Sequence, residues 1–471
     1  MAAIRIPEDV WDKARTHLFD RTGEHFAFFL ADWTYSGGEP VFMVHDVYLV
    51  PDSQVEATRQ GWELTTEGIL EVINAAAKSG SALIEAHNHG GPRPRFSTTD
   101  LEGLTEFPTY VLDSLPGRPY GATVWGDGSI FGEYFLATPS RRDRIRSILV
   151  VGTSLRQVVS RENDGHLDDA GVFARQLPWF TAEGQQQLGR FRVGVVGAGG
   201  IGAQILQNLV YLGIRDFVIV EDDVSDGSNM NRLVTAVSAD LGTPKAILAR
   251  RMIKSVAPNA SVTVVPSKLQ APESFDALKG VDVMFGCVDN DGARLVMNEL
   301  ALAFGIPYLD TAVAVDARGG VLRSAGGRVA VVLPGGPCLS CMGEIDRREA
   351  AFFLSSEQQK ADQRVRGYVT GLEAPAPSVV SVNGMAAASA VNEFAIYVSG
   401  SRQVNVFTEI DLLGVGRSVK SQWVTPVKYE RNPSCVACLS AGSGDRSGID
   451  RYAKNAGGLP VPWVNDSQAS S

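Results

Sequence analysis

Cysteine is scarce, with five among 471 residues. That is far below the density of a small disulfide-stapled secreted domain. No uninterrupted apolar run reaches the roughly 18 residues of a membrane-spanning helix. Nor does the chain open on a basic, then apolar, then small-residue leader. No membrane association is therefore expected, and the expected location is the cytoplasm. Positive charge is in deficit: 43 Lys and Arg against 53 Asp and Glu give a formal net charge of −10. A nucleic-acid partner would call for a basic surface, so none is expected. No internal repeat is present. What remains is ordinary soluble composition, 44% hydrophobic and 20% charged, at a length that suits two to three domains.

The chain is organised around residues 192–223. Val193 to Val196 read as a buried strand running into Gly197-Ala198-Gly199-Gly200-Ile201-Gly202. Beyond the turn, Ile201, Ile205, Leu206, Leu209 and Leu212 recur at helical spacing and Gly213 supplies a stop. Phe217 to Val220 read as a second strand that ends in Glu221, Asp222 and Asp223. Strand, glycine loop, helix, strand and acid follow one another at nucleotide-binding spacing. Glycines let backbone N–H groups approach a phosphate at a helix N-terminus. The pattern predicts a bound nucleotide without saying which one.

Ahead of it, residues 1–140 form a first domain of mixed strands and helices. A helix is predicted over Glu8 to Leu18, a hairpin over the aromatic run after Glu24 and Val41 to Val50, and a helix over Thr65 to Lys78. A short strand, Ala82 to Ala86, then ends in His87-Asn88-His89. Ser97 to Asp100 begin a helix, and strands over Gly121 to Trp125 and Ser129 to Leu136 complete the unit. Residues 141–171 are charged and read as a linker, 172–440 alternate strand and helix, and 441–471 read as a flexible tail. The overall class is α/β.

Two imidazoles leaving a strand end two residues apart, with Asp100 at a helix start, form a common catalytic zinc set of two histidines and a carboxylate. The full spacing, His87-x-His89 then Ser97-x-x-Asp100, resembles the motif of the JAMM (JAB/MPN) metalloproteases, which cleave at the C-terminus of ubiquitin or related proteins. That resemblance implies zinc on His87, His89 and Asp100, a general base on an early strand, and oxyanion stabilisation by Ser97. The matching base is Glu24, with Glu39 as competitor in a turn. His17, His25, His45 and His166 read as structural or solvent-exposed.

After the glycine loop come Ser228-Asn229-Met230-Asn231-Arg232, Lys245 and Cys287-Val288-Asp289-Asn290. With Arg175-Gln176 upstream, the set resembles the ubiquitin-activating/MoeB/ThiF superfamily, which adenylates the C-terminal glycine of a ubiquitin-like protein. The resemblance implies a Rossmann-like, doubly wound sheet. It places ATP on the loop glycines Gly197, Gly199, Gly200 and Gly202, phosphate contacts on Asn229, Arg232 and Lys245, and magnesium on Asp289. Counting back from Arg232 puts Glu221 at the ribose, where the family usually has Asp, so Glu221, Asp222 and Asp223 all stay open. Arg175 would reach the triphosphate across a dimer interface, which implies a homodimer.

The pairs Cys338-x-x-Cys341 and Cys435-x-x-Cys438 complete a structural zinc set. Redox pairs or reduced core thiols are the alternatives, and the superfamily carries such a zinc at this place. Cys287 reads as packed. Between Met342 and Gly400, where ubiquitin activators usually keep an acceptor cysteine, there is none. The adenylate would pass directly to a thiol on another protein, for instance a conjugating enzyme, unless a native cysteine has been replaced. The combined expectation is an enzyme that both processes and activates a ubiquitin-like protein, similar to fusions in bacterial conjugation operons, some linked to phage defence. Activation and trimming of a sulfur carrier is the competitor within enzymes. A non-catalytic scaffold is the competitor outside them, and the intact site residues speak against it.

Overall fold

The computed structural model describes residues 2–57, 62–138, 140–159, 171–365, 377–414 and 423–453. It divides into two compact units, residues 1–170 with 442–445, and 171–441 with 446–471.

The first unit carries β1 (Ala3–Pro7), α1 (Glu8–Phe19), β2 (Phe26–Ser36), β3 (Glu39–Leu49), β4 (Val55–Ala57), β5 (Trp62–Leu64), α2 (Thr66–Ser79), β6 (Ala82–Asn88), α3 (Thr98–Ser114), β7 (Tyr120–Trp125), β8 (Ile130–Leu136), β9 (Arg141–Arg144), β10 (Ser147–Val151) and β11 (Leu155–Gln157). Nine strands form one mixed sheet in the order β11-β10-β1-β3-β2-β6-β7-β8-β9, and β4 pairs with β5 apart from it. Both faces are covered, so β2 reads as a nearly continuous apolar run rather than an alternating one. Phe29 and Trp125 pack on the face covered by Trp11 and Leu18 of α1. Phe28 and Tyr120 face the other way, onto Val72 and Ile73 of α2 and Leu104 and Val111 of α3.

Two expectations need correction here. Residues 141–157 are not a linker, because β9, β10 and β11 all belong to the sheet. Ser147–Val151 is buried throughout, an apolar run hidden between charged stretches. Charged β9 is the sheet edge, where Arg142 reaches Glu133 of β8 at 2.6 Å. Charge is what such an edge carries to deter further pairing. The stretch after Ser440 is likewise ordered as far as residue 453. It holds a 3₁₀ turn at Gly444–Ser447 and α13 (Asp450–Ala453), and Ile449 is fully buried. The rest of the expected linker and tail, 160–170 (with His166) and 454–471, lies outside the described residues.

The second unit runs α4 (Leu177–Arg190), β12 (Arg192–Val196), α5 (Gly202–Leu212), β13 (Asp216–Val220), α6 (Lys245–Val256), β14 (Ser261–Val265), α7 (Pro272–Lys279), β15 (Val283–Gly286), α8 (Asp291–Phe304), β16 (Tyr308–Arg318), β17 (Val321–Val332), α9 (Leu339–Met342), α10 (Arg347–Phe353), α11 (Glu357–Val365), α12 (Val380–Ser399), β18 (Phe407–Asp411) and β19 (Trp423–Val427). The sheet order is β14-β13-β12-β15-β16-β17-β18-β19. From β14 to β16 it is parallel, as the nucleotide-binding pattern requires. From β16 onward it is antiparallel, which a wholly doubly wound sheet would not be. The chain steps outward from β12 to β14 on one side, then returns to β15 on the other. The crevice between the ends of β12 and β15 is therefore the topological switch point, where sheets of this kind bind ligands.

Candidate active sites

In the first unit, β6 delivers His87, and His89 continues its line by donating its N–H to the Trp125 carbonyl at 2.9 Å. Each ring is held at Nδ1. The Glu85 carboxylate lies 3.3 Å from Nδ1 of His87, and the Arg95 carbonyl lies 3.0 Å from Nδ1 of His89. Both Nε2 atoms therefore turn to the same place, where Asp100 Oδ2 stands 3.5 Å from that of His87 and 3.3 Å from that of His89. His87 Nε2 is buried with no hydrogen-bond partner. A tetrahedral zinc with bonds of about 2.0–2.1 Å sets its ligand atoms about 3.3–3.4 Å apart. The three residues fit that group, and outer partners at Nδ1 are what metal-binding histidines need.

Burial works against charge on His87, but the carboxylates of Asp100 and Glu85 outweigh it and push its pKa up to about 9. Burial also opposes charge on Asp100, yet His87 and the Ser97 N–H hold its carboxyl well below the usual range. Asp100 is aimed by a capping box: Ser97 Oγ accepts the Asp100 N–H at 3.1 Å and Asp100 Oδ2 accepts the Ser97 N–H at 2.6 Å. The Ser97 hydroxyl also bonds the Asp100 carboxylate and helps to hold it charged.

Glu24 lies just ahead of β2, with Oε1 3.4 Å from Nε2 of His89. Glu39 is elsewhere, accepting from the Ala2 N–H at 2.7 Å and pairing with Arg141. His17 bonds the Phe26 carbonyl and His45 bonds Ser81, both at the ring Nε2. Sequence reasoning missed Glu85, which also accepts from the buried Tyr120 hydroxyl at 2.5 Å. Its place two residues before His87 was the available signal.

In the second unit the glycine loop opens at the end of β12. Gly197 has φ +88° and donates its N–H to the Val220 carbonyl. A Cβ on Gly202 would overlap the Gly197 carbonyl, whereas one on Gly199 would meet nothing. The loop is therefore pinned at both ends and open at Gly199. Glu221 clamps it, accepting the Ala198 N–H at 2.6 Å and the Asp223 N–H at 3.0 Å. Burial pushes the Glu221 carboxyl up, against the pull of Lys245. Asp223 pairs with Lys245 at 2.8 Å, and Asp222, half-buried beside them, is likewise raised by burial.

The Arg232 stem lies against Gly200, and its guanidinium reaches the Ser228 carbonyl at 2.7 Å. Asn229 accepts the Asp226 N–H at 3.0 Å and fixes that turn. Asp289 is exposed beyond β15, 3.3 Å from the Asn290 amide. Arg175 is exposed ahead of α4. Cys287 packs against Gly197 and Gly202 at the switch point, and burial with the Asp310 and Glu221 carboxylates pushes its thiol far up. That suits the packed role expected of it. Sequence reasoning missed α12, whose Asn383 abuts Gly200 and whose first carbonyl, that of Val380, accepts from Gln204.

The four remaining cysteines converge. Cys338 and Cys341 lie 3.7 Å apart at sulfur, Cys338 and Cys435 3.7 Å, and Cys341 and Cys438 3.6 Å. Zinc–sulfur bonds of about 2.3 Å give a tetrahedral edge of about 3.8 Å. The Asn432 N–H points at Cys341 Sγ from 3.5 Å. The set fits a closed structural zinc.

With this geometry, residues 173–437, more than half of the chain, match the ThiF family. The chain belongs to the ThiF family. Among its relatives, the SAMP-activating enzyme E1 of Haloferax volcanii is 34% identical over 160 residues, covering 34% of this chain and 56% of that protein. The sulfur carrier protein adenylyltransferase of Thermus thermophilus is 33% identical over 172 residues, covering 35% and 60%. The adenylyltransferase and sulfurtransferase UBA4 of Yarrowia lipolytica is 31% identical over 174 residues, covering 36% and 42%. The chain thus spans less than two thirds of each of these relatives. Among the described residues no helix is long and apolar enough to cross a membrane.

Proposed function

We propose that this ThiF-family chain adenylates the C-terminal glycine of a ubiquitin-like or sulfur-carrier protein, and that its first unit hydrolyses bonds at the same kind of C-terminus. The adenylation reading rests on the family match over 173–437 together with the cations gathered at the glycine loop. The carrier's carboxylate oxygen attacks the α-phosphorus of ATP, and the bond to pyrophosphate breaks. Loop N–H groups at the start of α5 receive a phosphate. Lys245 and Arg232 balance the charge that builds on the phosphate oxygens, and Asn229 adds a polar donor. Asp289 would hold magnesium, and Glu221, Asp222 or Asp223 would bond the ribose. Arg175 would act on a second copy of the chain in a homodimer.

The hydrolysis reading rests on the 3.3 and 3.5 Å spacing of Asp100 from the two imidazoles. Zinc bound by His87, His89 and Asp100 would supply an acidified water and a polarised carbonyl. Glu24 takes the proton of the attacking water and returns it to the leaving amine. The Ser97 hydroxyl donates to the oxygen that gains charge.

Purified chain, ATP and each small glycine-ended protein encoded near this gene form the test. One of these proteins should drive pyrophosphate exchange into ATP, and its C-terminally extended form should be trimmed. No exchange with any of them removes the adenylation reading, and exchange without trimming removes the hydrolase. The names of the relatives favour sulfur-carrier activation as a second reading. A C-terminal thiocarboxylate, seen by mass spectrometry when a sulfur donor is present, would select it over conjugation.

A further inference from the structure

We propose that Asn88 is a positioning residue that holds Glu24 beside the His87, His89 and Asp100 cluster. The inference rests on the hydrolase reading of that cluster and concerns how its base is fixed. Asn88 stands between the two histidines in sequence, at the last position of β6. Strand alternation turns its side chain away from the face that presents His87.

Both ends of the Asn88 amide are engaged. Oδ1 accepts the His25 N–H at 2.7 Å and Nδ2 donates to the Gly23 carbonyl at 3.0 Å. Those two backbone groups flank Glu24 on either side. No strand ladder does this job, because the pairing of β2 with β6 begins one residue later, at Phe26 opposite His87. Gly23 has φ +108°, so the chain turns sharply just before Glu24. The Asn88 amide therefore ties the backbone on both sides of Glu24, whose carboxylate lies 3.4 Å from His89.

The residue type suits the task. An amide both donates and accepts, so it can grip two opposite backbone groups at once. It is neutral at every working pH, so it adds no charge next to a base and a metal pocket. A packing residue at this strand end would need neither property. Displacing a reacting group by about 1 Å can cost about 10²-fold in rate.

A double-mutant cycle tests the proposal. Cleavage of an extended carrier is measured for the full-length wild type, Asn88→Ala, Glu24→Ala and the double variant. Asn88→Ala should lower kcat by about 10–100-fold, as loss of an outer-shell partner does, with KM and zinc content unchanged. Because Asn88 acts through Glu24, the double variant should be no slower than Glu24→Ala alone. Losses that multiply, or wild-type cleavage by Asn88→Ala, overturn the proposal.

Amide hydrogen exchange gives a readout that needs no activity. The His25 amide should exchange faster in Asn88→Ala while the β6 amides keep their protection, and an unchanged His25 amide overturns the proposal. Should Asn88→Ala fold poorly, Asn88→Asp takes its place in the cycle, since it keeps the acceptor for His25 and loses the donor to Gly23. Failure of the hydrolase reading looks different: wild type and Glu24→Ala would then cleave equally poorly, while His25 exchange still reports on the clamp.

Discussion

The residues proposed to carry the chemistry were mostly read from their spacing along the chain. His87, His89 and Asp100 are named by a pattern of 14 positions, and their Nε2 and carboxylate atoms do come together. Glu24→Gln removes a base while keeping the shape. It should slow cleavage by about 10²–10⁴-fold, with zinc still bound in an elemental assay; normal cleavage would point to another base. Asp289→Ala should abolish pyrophosphate exchange while nucleotide binding weakens only in its magnesium dependence, and surviving exchange would remove Asp289 as the magnesium ligand. The partners behind these residues were not legible. Glu85, Asn88, the Arg95 carbonyl and Asn383 matter through what lies across a strand or beyond a turn, and one-dimensional spacing does not contain that.

At the level of elements, α3 joins folding to the proposed chemistry. Its capping box uses Ser97 and Asp100 to satisfy the first N–H groups, and the same Asp100 oxygen faces the two imidazoles. Ser97→Ala should destabilise the protein by about 1 kcal/mol, the usual cost of a lost N-cap. It should also slow cleavage by about 10²–10³-fold through loss of an oxyanion donor. Ser97→Asp restores an acceptor but no hydroxyl, so thermal stability should return while cleavage stays low. Recovery of both would leave Ser97 a cap only. Strands and helices with strong apolar patterns, such as β2, α2, β12 and α5, fall within a few residues of expectation. β9 and β10 did not, because an edge strand of arginines and a short buried strand each look like something else without their neighbours.

Across the whole molecule, the four-cysteine cluster ties residues about 97 positions apart. Closing a loop of that length restrains the unfolded chain by about 4–5 kcal/mol in the cross-link treatment. Chelation of zinc, or Cys435→Ser, should therefore lower the Tm of the second unit by several degrees and weaken adenylation with it. An unchanged Tm after complete zinc removal would show that the cysteines do not hold this unit together.

The sequence by itself determined which side chains are candidates for the two proposed sites, because each set stands at short, fixed separations along one strand–loop–helix unit. It also determined the parallel half of the second sheet, whose strands and crossover helices repeat a local pattern. Only the tertiary structure decided which of Glu24 and Glu39 stands near the imidazoles, that Glu221 clamps the glycine loop, and that residues 141–157 complete the first sheet. Those outcomes depend on pairings between residues up to about 145 positions apart, such as Ala3 with Ser147. Such pairings are settled by which buried surfaces and backbone groups can be satisfied together, not by any stretch of chain alone.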